Sequence, residues 1–329
     1  MKPRRGVLTT VAVLAVVFGL GGRAAIYRSL ASLPAPVTDL GEPFVEEPER
    51  LALLTSAGRR IEPLHQRMGK PNPGDWLDRH PEPGQTFEEY RAGSPSRPTA
   101  QLTTLYIQKW GDFDDTQSAV VDRVAELLGR FYGVPVKFEE PVSLDSVDDQ
   151  ACPPHPERGD RRLLSTYVLE ELRGSHWPND AAGRLAMTTV DLTRTGGGTW
   201  AFGQASLCDR VAVCSLFRQG DPHEDFTLCV KRTLKTSVHE VGHMFGLTHC
   251  AAFECAMNGS NHREEADARP LWFCPEDEMK VWLACRLDPA RRYASLAAWA
   301  RSNGLDAEAR FWARSRQAIA DPSDRAKRK

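Results

Sequence analysis

The stretch His239-Glu240-Val241-Gly242-His243-Met244-Phe245-Gly246-Leu247-Thr248-His249 sets three of the chain's nine histidines at positions from which they can share one metal ion. Upstream and through it, Leu234, Val238, Val241 and Phe245 recur at helical spacing, which predicts a helix over residues 228–247 with one face turned inward. His239 and His243 are four residues apart, so their imidazoles project from one helix face and can bind the same ion. Gly246 ends the helix, because a residue without Cβ takes the left-handed conformation that turns the chain sharply. The turn returns His249 as a third nitrogen ligand, and a fourth position stays open, as a catalytic zinc requires.

Mechanism follows from residue type. Zinc acidifies water and polarises a carbonyl. Glu240, beside the first ligand, is placed as general base for that zinc-activated water and then as proton donor to a leaving amine. The bland reading is a core helix whose histidines satisfy backbone partners. Three histidines and a glycine at ligand spacing weigh against it. A non-catalytic zinc protein that presents a binding surface is the rival from another class. Glu240 argues against it, since a structural site needs no base and fills all four positions with protein ligands. Hydrolysis of non-peptide amides or esters uses the same chemistry and stays open.

Downstream, His249 is followed by Cys250, Cys255, Met257 and Cys274, in the pattern H-C-x4-C-x-M with a later Cys-Pro. This resembles the archaemetzincins, metzincin zinc metallopeptidases that carry a second, cysteine-rich zinc site. Resemblance extends from about Asp75 onward, through Asp75-Trp76 to Tyr90, Phe131-Tyr132-Gly133-Val134, Phe202-Gly203-Gln204-Ala205-Ser206, Asn258-Gly259-Ser260-Asn261-His262 and Glu264-Glu265-Ala266-Asp267. These stretches look more like the animal-type branch than the short archaeal one. The resemblance implies a zincin-like metzincin fold, with a mixed twisted sheet, packed helices and a smaller C-terminal subdomain beyond the active-site cleft. It also implies a competent peptidase with aminopeptidase-like action on small peptides, and gives Met257 the place of the Met-turn methionine beneath the catalytic metal.

One position departs from the family. Its fourth cysteine is replaced here, in Cys274-Pro275-Glu276-Asp277, by Asp277. Three outcomes are open. Asp277 takes the thiolate's place, Cys285 swings in, or the second site is lost. The favoured expectation is two zinc ions, one catalytic on His239, His243 and His249 and one on Cys250, Cys255, Cys274 and Asp277.

Around this centre the 329-residue chain is ordinary in composition, with 41% hydrophobic and 26% charged residues. A formal net charge of −2 offers no basic footprint for nucleic acid. A peptide or protein substrate and a monomeric state are expected. Residues 1–31 read as a signal peptide or membrane anchor: Met1-Lys2-Pro3-Arg4-Arg5 is basic and residues 6–22 are uncharged and apolar. Export to a periplasmic or extracellular setting, or a membrane tether, is therefore expected, with a cytoplasmic location as the alternative. Residues 32–100, rich in Pro, Glu, Arg and Gly, read as an irregular N-terminal arm.

A metzincin-like catalytic domain is expected over 101–287, then a C-terminal helix and basic tail over 288–329. Within the domain, apolar patterning predicts strands over 102–109, 134–138, 185–192, 200–207 and 211–217, and helices over 115–132 and 161–172. Strands mixed with helices predict a layered α/β core. Strand 200–207, just before the zinc helix, is either an edge strand that holds substrate or sheet core. His262 lies shortly after Met257, where it is read either as a transition-state stabiliser or as a histidine at the surface or behind the ligands. The eight cysteines leave disulfides open, and Asn258-Gly259-Ser260 is a formal glycosylation sequon.

Overall fold

Leu54, Ala57 and Ile61 keep helical spacing within polar text, and they form the buried face of α1 (Pro48–Ile61). The computed structural model describes residues 48–155, 157–194 and 200–320. The expected export segment and the basic tail lie outside the described residues. The arm is thus not uniformly irregular. Beyond α1 it holds a single turn, α2 (Trp76–Arg79), and the short α3 (Phe87–Ala92), which opens on a capping box between Thr86 and Glu89. Leu54 and Ile61 are buried against helices more than two hundred residues away, so the arm's own sequence carries little sign of its burial.

The central sheet starts with β1 (Thr104–Trp110), where Leu105 and Ile107 point into the core. Next comes α4 (Asp115–Tyr132), with the bounds that periodicity predicts. Asp114 and Gln117 cap its start reciprocally, and Gly133 at φ 64° stops it. Then come β2 (Val136–Phe138), β3 (Arg162–Leu164) and α5 (Ser165–Gly174). Residues 162–164 were expected in the helix. They are extended because they pair with β5 of a small sheet given below.

The remaining strands are β4 (Ala181–Thr188), β5 (Asp191–Thr193), β6 (Trp200–Ala201), β7 (Gly203–Ala205) and β8 (Val211–Ser215). The expected strand 185–192 spans the end of β4 and the start of β5, and the expected strand 200–207 is broken into the short β6 and β7. The helices α6 (Phe226–Met244), α7 (Arg263–Ala268), α8 (Pro275–Ala284), α9 (Pro289–Ser302) and α10 (Asp306–Ala320) complete the fold.

The larger sheet has the order β2-β1-β4-β8-β7, parallel except for β7, which runs antiparallel to β8 at the edge. A second sheet has the order β3-β5-β6. Every residue of β4 is buried, which matches a central strand covered by helices on both faces. Leu185, Met187, Ala212 and Cys214 share one core with α4 and α6, while Ala186, Val211 and Val213 share the other with Val168 and Leu172 of α5. Leu234, Val238 and Val241 of α6 are fully buried, each contributing roughly 1.5–3 kcal/mol relative to exposure. No helix among the described residues is long and apolar enough to cross a membrane.

Two polar contacts fix the zinc helix in place. The Tyr132 hydroxyl donates to Val238 O at 2.6 Å and the Tyr90 hydroxyl donates to Phe245 O at 2.8 Å, both fully buried. A buried ion pair, Arg292–Glu278 at 2.6 Å, joins α9 to α8, and Arg292 Nε donates to Phe131 O at the end of α4. Tyr132→Phe, which deletes only a hydroxyl, should destabilise the protein by about 1 kcal/mol. Chemical denaturation against the parent protein checks this.

Candidate active site and metal centres

Gly246 has φ 81°, and Leu247 N donates to Gly242 O at 3.1 Å while Gly246 N donates to His243 O at 2.9 Å. That is the Schellman pattern of a glycine-terminated helix. A Cβ at 246 would also lie 2.4 Å from the Pro95 side chain, so the turn needs glycine twice over. With the turn made, ligand nitrogens of His239, His243 and His249 all lie within 4.8 Å of one another.

Each ring is oriented by a bond to its Nδ1. His239 donates to Ala256 O at 2.8 Å, His243 to Leu247 O at 2.7 Å, and His249 to the Glu82 carboxylate at 2.9 Å. A carbonyl or carboxylate only accepts, so the ring protons sit on Nδ1 and the Nε2 lone pairs are bare. His239 Nε2 and His243 Nε2 then face each other at 3.0 Å. Two lone pairs that close repel unless a cation lies between them. Burial, with the neighbouring histidines, lowers the His239 pKa well below its usual value and brings His243 to about 3. The rings are therefore neutral and ready to ligate. This donor set fits zinc.

Met257 is fully buried beneath α6 against Gly242, and its neighbour Ala256 supplies the carbonyl that holds His239. The Asn258 amide is buried as well. It donates to Cys250 O and Phe253 O, each at 2.9 Å, and accepts from Cys255 N at 2.7 Å, so this sequon nitrogen is a structural tie.

Glu240 faces a cavity of about 480 Å³ lined by the three histidines, residues 200–205, residues 259–261, Trp76 and Arg269. Burial pushes its carboxyl up to about 8, opposed by Arg269 and Arg194. A Cβ at Gly203 would come within 2.7 Å of Glu240 Oε1 and 2.9 Å of Val213 O. Glycine at 203 lets β7 lie directly against the carboxylate. β7 is both the edge of the sheet and the roof of this cavity.

The second cluster is fully enclosed. Cys255 Sγ lies 3.2 Å and Cys274 Sγ 3.4 Å from Asp277 Oδ2, and Cys250 Sγ lies 3.7 Å from Cys274 Sγ. Backbone N–H groups of Cys274 and Met257 point at Cys255 Sγ, at 3.1 and 3.4 Å. Burial raises the Cys255 and Cys274 thiols and the Asp277 carboxyl, while hydrogen bonds from Cys255 and Cys274 draw Cys250 down to about 3. Four acidic groups that close cannot all be ionised without a cation. These four could hold one metal ion.

Lys280, itself buried, meets the far Asp277 oxygen at 2.8 Å, which leaves Oδ2 turned inward. Of the three outcomes left open by sequence, the geometry brings Asp277 into the cluster. Cys285 lies elsewhere, beside Gly133 and Thr103, with burial pushing its thiol up to about 12. All eight cysteines are unbridged.

His262 is not brought into the cavity. Its Nε2 meets Asp75 Oδ1 at 3.1 Å and its Nδ1 meets Glu264 Oε2 at 3.0 Å, in a neighbouring depression. It clasps the arm to the loop after Met257, together with Glu265, which accepts from Trp76 N and Asn261 N at 2.7 and 2.6 Å. The transition-state role expected for it has no geometric basis. Sequence reasoning missed Glu82, Trp76 and Arg269 as site residues. Trp76 packs edge-on against the His249 ring at 4.9 Å. Glu82 sits 167 residues before its partner, and no local pattern marks it.

The sequence model of peptidase family M54 matches residues 167–281. Archaemetzincin-2 of Homo sapiens is 31% identical over 270 residues, which cover 71% of this chain and 74% of that protein. Archaemetzincin of Thermococcus kodakarensis is 33% identical over 184 residues, 54% of this chain and 90% of that protein. Among solved structures, archaemetzincin from Methanopyrus kandleri matches at TM-score 0.48 and 29% identity, over 58% of this chain and 99% of that one.

Because the Glu82 carboxylate holds the His249 ring, Glu82→Ala should weaken zinc binding at the histidine centre about 10–100-fold. Competition with a chromophoric chelator measures it, and unchanged affinity would show that Glu82 does not orient the ligand.

Proposed function

This chain belongs to the archaemetzincins and is a zinc metallopeptidase, and from that premise we propose that it cleaves peptide bonds with Glu240 as general base. Held by His239, His243 and His249, zinc supplies Lewis acidity toward water and a carbonyl oxygen. The remaining work falls to the protein's own groups. A Glu240 carboxylate oxygen takes the proton of the attacking water and afterwards delivers it to the leaving amine. The observation that carries this reading is the freedom of Glu240. Among the described residues no cation lies within 4.0 Å of its carboxylate, although it is buried in the wall of the histidine cavity.

The substrate lies extended along β7. Edge position, antiparallel direction and glycine at 203 support this, since an edge strand offers unpaired backbone groups to a chain laid beside it. Trp76 and His80 of the arm close the opposite side. Ala256 O holds the His239 ring, and Met257 packs beneath α6 against Gly242.

A second zinc bound by Cys250, Cys255, Cys274 and Asp277 has a structural role in this reading, because the cluster is buried and all four of its positions are protein groups. It ties the segment after His249 to the start of α8. Export belongs to the same proposal and rests on the basic-then-apolar run of residues 1–22. N-terminal sequencing of the mature protein checks it, and an unprocessed cytoplasmic product would overturn it.

Glu240→Gln should lower hydrolysis of a peptide library by at least about 100-fold while zinc content stays the same. Survival of activity in that variant would remove Glu240 from the mechanism. Metal analysis of protein purified under mild reduction should give two zinc ions per chain. Asp277→Ala should lose one of them and destabilise the fold, by about 3 kcal/mol or more given the buried thiols and Lys280 left without it. A parent stoichiometry of one would exclude the second centre.

A further inference from the structure

Arg269 stands at the end of α7, on the wall of the catalytic cavity, and is only 5% exposed. Two other buried arginines each meet a carboxylate: Arg184 meets Glu139 at 2.9 Å and Arg292 meets Glu278 at 2.6 Å. Among the described residues, no carboxylate oxygen lies within 4.0 Å of Arg269. One guanidinium nitrogen, Nη1, donates to Asn258 O at 2.8 Å. Its approach to His239 Nδ1 at 3.4 Å is not a second bond, because that nitrogen already donates its proton to Ala256 O. Nε is buried with no partner at all.

A buried guanidinium with unanswered donors is costly to keep, and a carboxylate answers it best, since two oxygens match two parallel N–H groups. Glu240 is the one carboxylate among the described residues lining this cavity, and a base must stay free of a tight ion pair. The same lining therefore offers no second acid to receive an α-ammonium group. Position agrees with charge. A chain laid along β7 with its carbonyl at the histidines shares a cavity of about 480 Å³ with Arg269, whose Nη1 lies 3.4 Å from His239 Nδ1, so a group next to the reacting bond comes within its reach.

We propose that Arg269 anchors a carboxylate of the substrate, either its C-terminal carboxylate or an acidic side chain next to the scissile bond, and so makes the enzyme selective for carboxylate-bearing peptides. This rests on the peptidase reading for its substrate class and on the Arg269 geometry for its selectivity.

The test uses matched short peptides: a free acid and its C-terminal amide, and two amides that differ only by Glu or Gln beside the scissile bond. For the zinc-loaded protein, kcat/KM should favour one carboxylate form by about tenfold or more, and which pair responds identifies the source of the carboxylate. Arg269→Gln should bring that ratio close to one, with the carboxylate form losing about tenfold more than the amide form. Arg269→Lys, a point charge without the fork, should keep part of the preference. A second readout is calorimetric binding of N-acetylglycylglycine and N-acetylglycylglutamine amide, each with its carboxylate or amide counterpart, to zinc-free protein. The carboxylate form should bind the parent and not Arg269→Gln.

Equal rates on acid and amide in both pairs for the parent would overturn the anchor, whatever the variants do. So would an equal loss on both forms in Arg269→Gln, which would make Arg269 a mere support for Asn258. If the parent cleaves no peptide but zinc-free protein still binds the carboxylate through Arg269, the anchor stands and the peptidase reading fails.

Discussion

Three bare imidazole nitrogens have to be held within one coordination sphere, and most of the site answers that constraint. Neutral rings at 3.0 Å would rotate apart if nothing held their other side. The holding groups are a carbonyl from the loop before Met257, a carbonyl from the glycine turn and a carboxylate from the arm. Each comes from a different part of the chain. The loop, the turn and the arm therefore all contribute to orienting the ligands, and the buried Tyr132 and Tyr90 bonds hold the helix that carries the first two.

The two clusters are mechanically linked as well as adjacent in sequence. Cys250 follows His249 directly, and its amide donates to Met257 O at 2.9 Å. Lys280, which faces Asp277, also donates to Gln85 O, and the Gln85 side chain donates to Gly246 O at 3.3 Å. Arm, glycine turn and enclosed cluster thus form one hydrogen-bonded unit. A carboxylate in place of a thiolate leaves the formal charge of the donor set unchanged, and Lys280 gives its second oxygen a partner in the low-dielectric interior. The replacement at 277 is accommodated by its surroundings.

Charge is distributed unevenly around the catalytic cavity. Glu240 is the one acid among the described lining residues, while Arg269 and Arg194 line the same space. The arm contributes aromatic surface through Trp76, locked by the Asp75–His262 and Glu265 contacts. The cleft thus combines one acid, two arginines and the edge strand β7 among its described lining residues.

Local chemistry made the first centre readable. Spacing four puts His239 and His243 on one helix face, and Gly246 dictates the turn to His249, so no distant residue was needed to find three ligands and a base. The same holds for α4, whose apolar stripe and flanking caps are local, and for β1 and β8. Where local cues mixed, as at 162–164, strand pairing with residues 191–193 decided the outcome. The choice of Asp277 over Cys285, the removal of His262 from the cavity, and the placing of Glu82, Trp76 and Arg269 around the ligands were decided by tertiary structure alone. Each depends on packing between segments far apart in the chain, and a one-dimensional pattern holds no distance between them. Sequence by itself thus determined which atoms can bind zinc, and the fold determined what surrounds them.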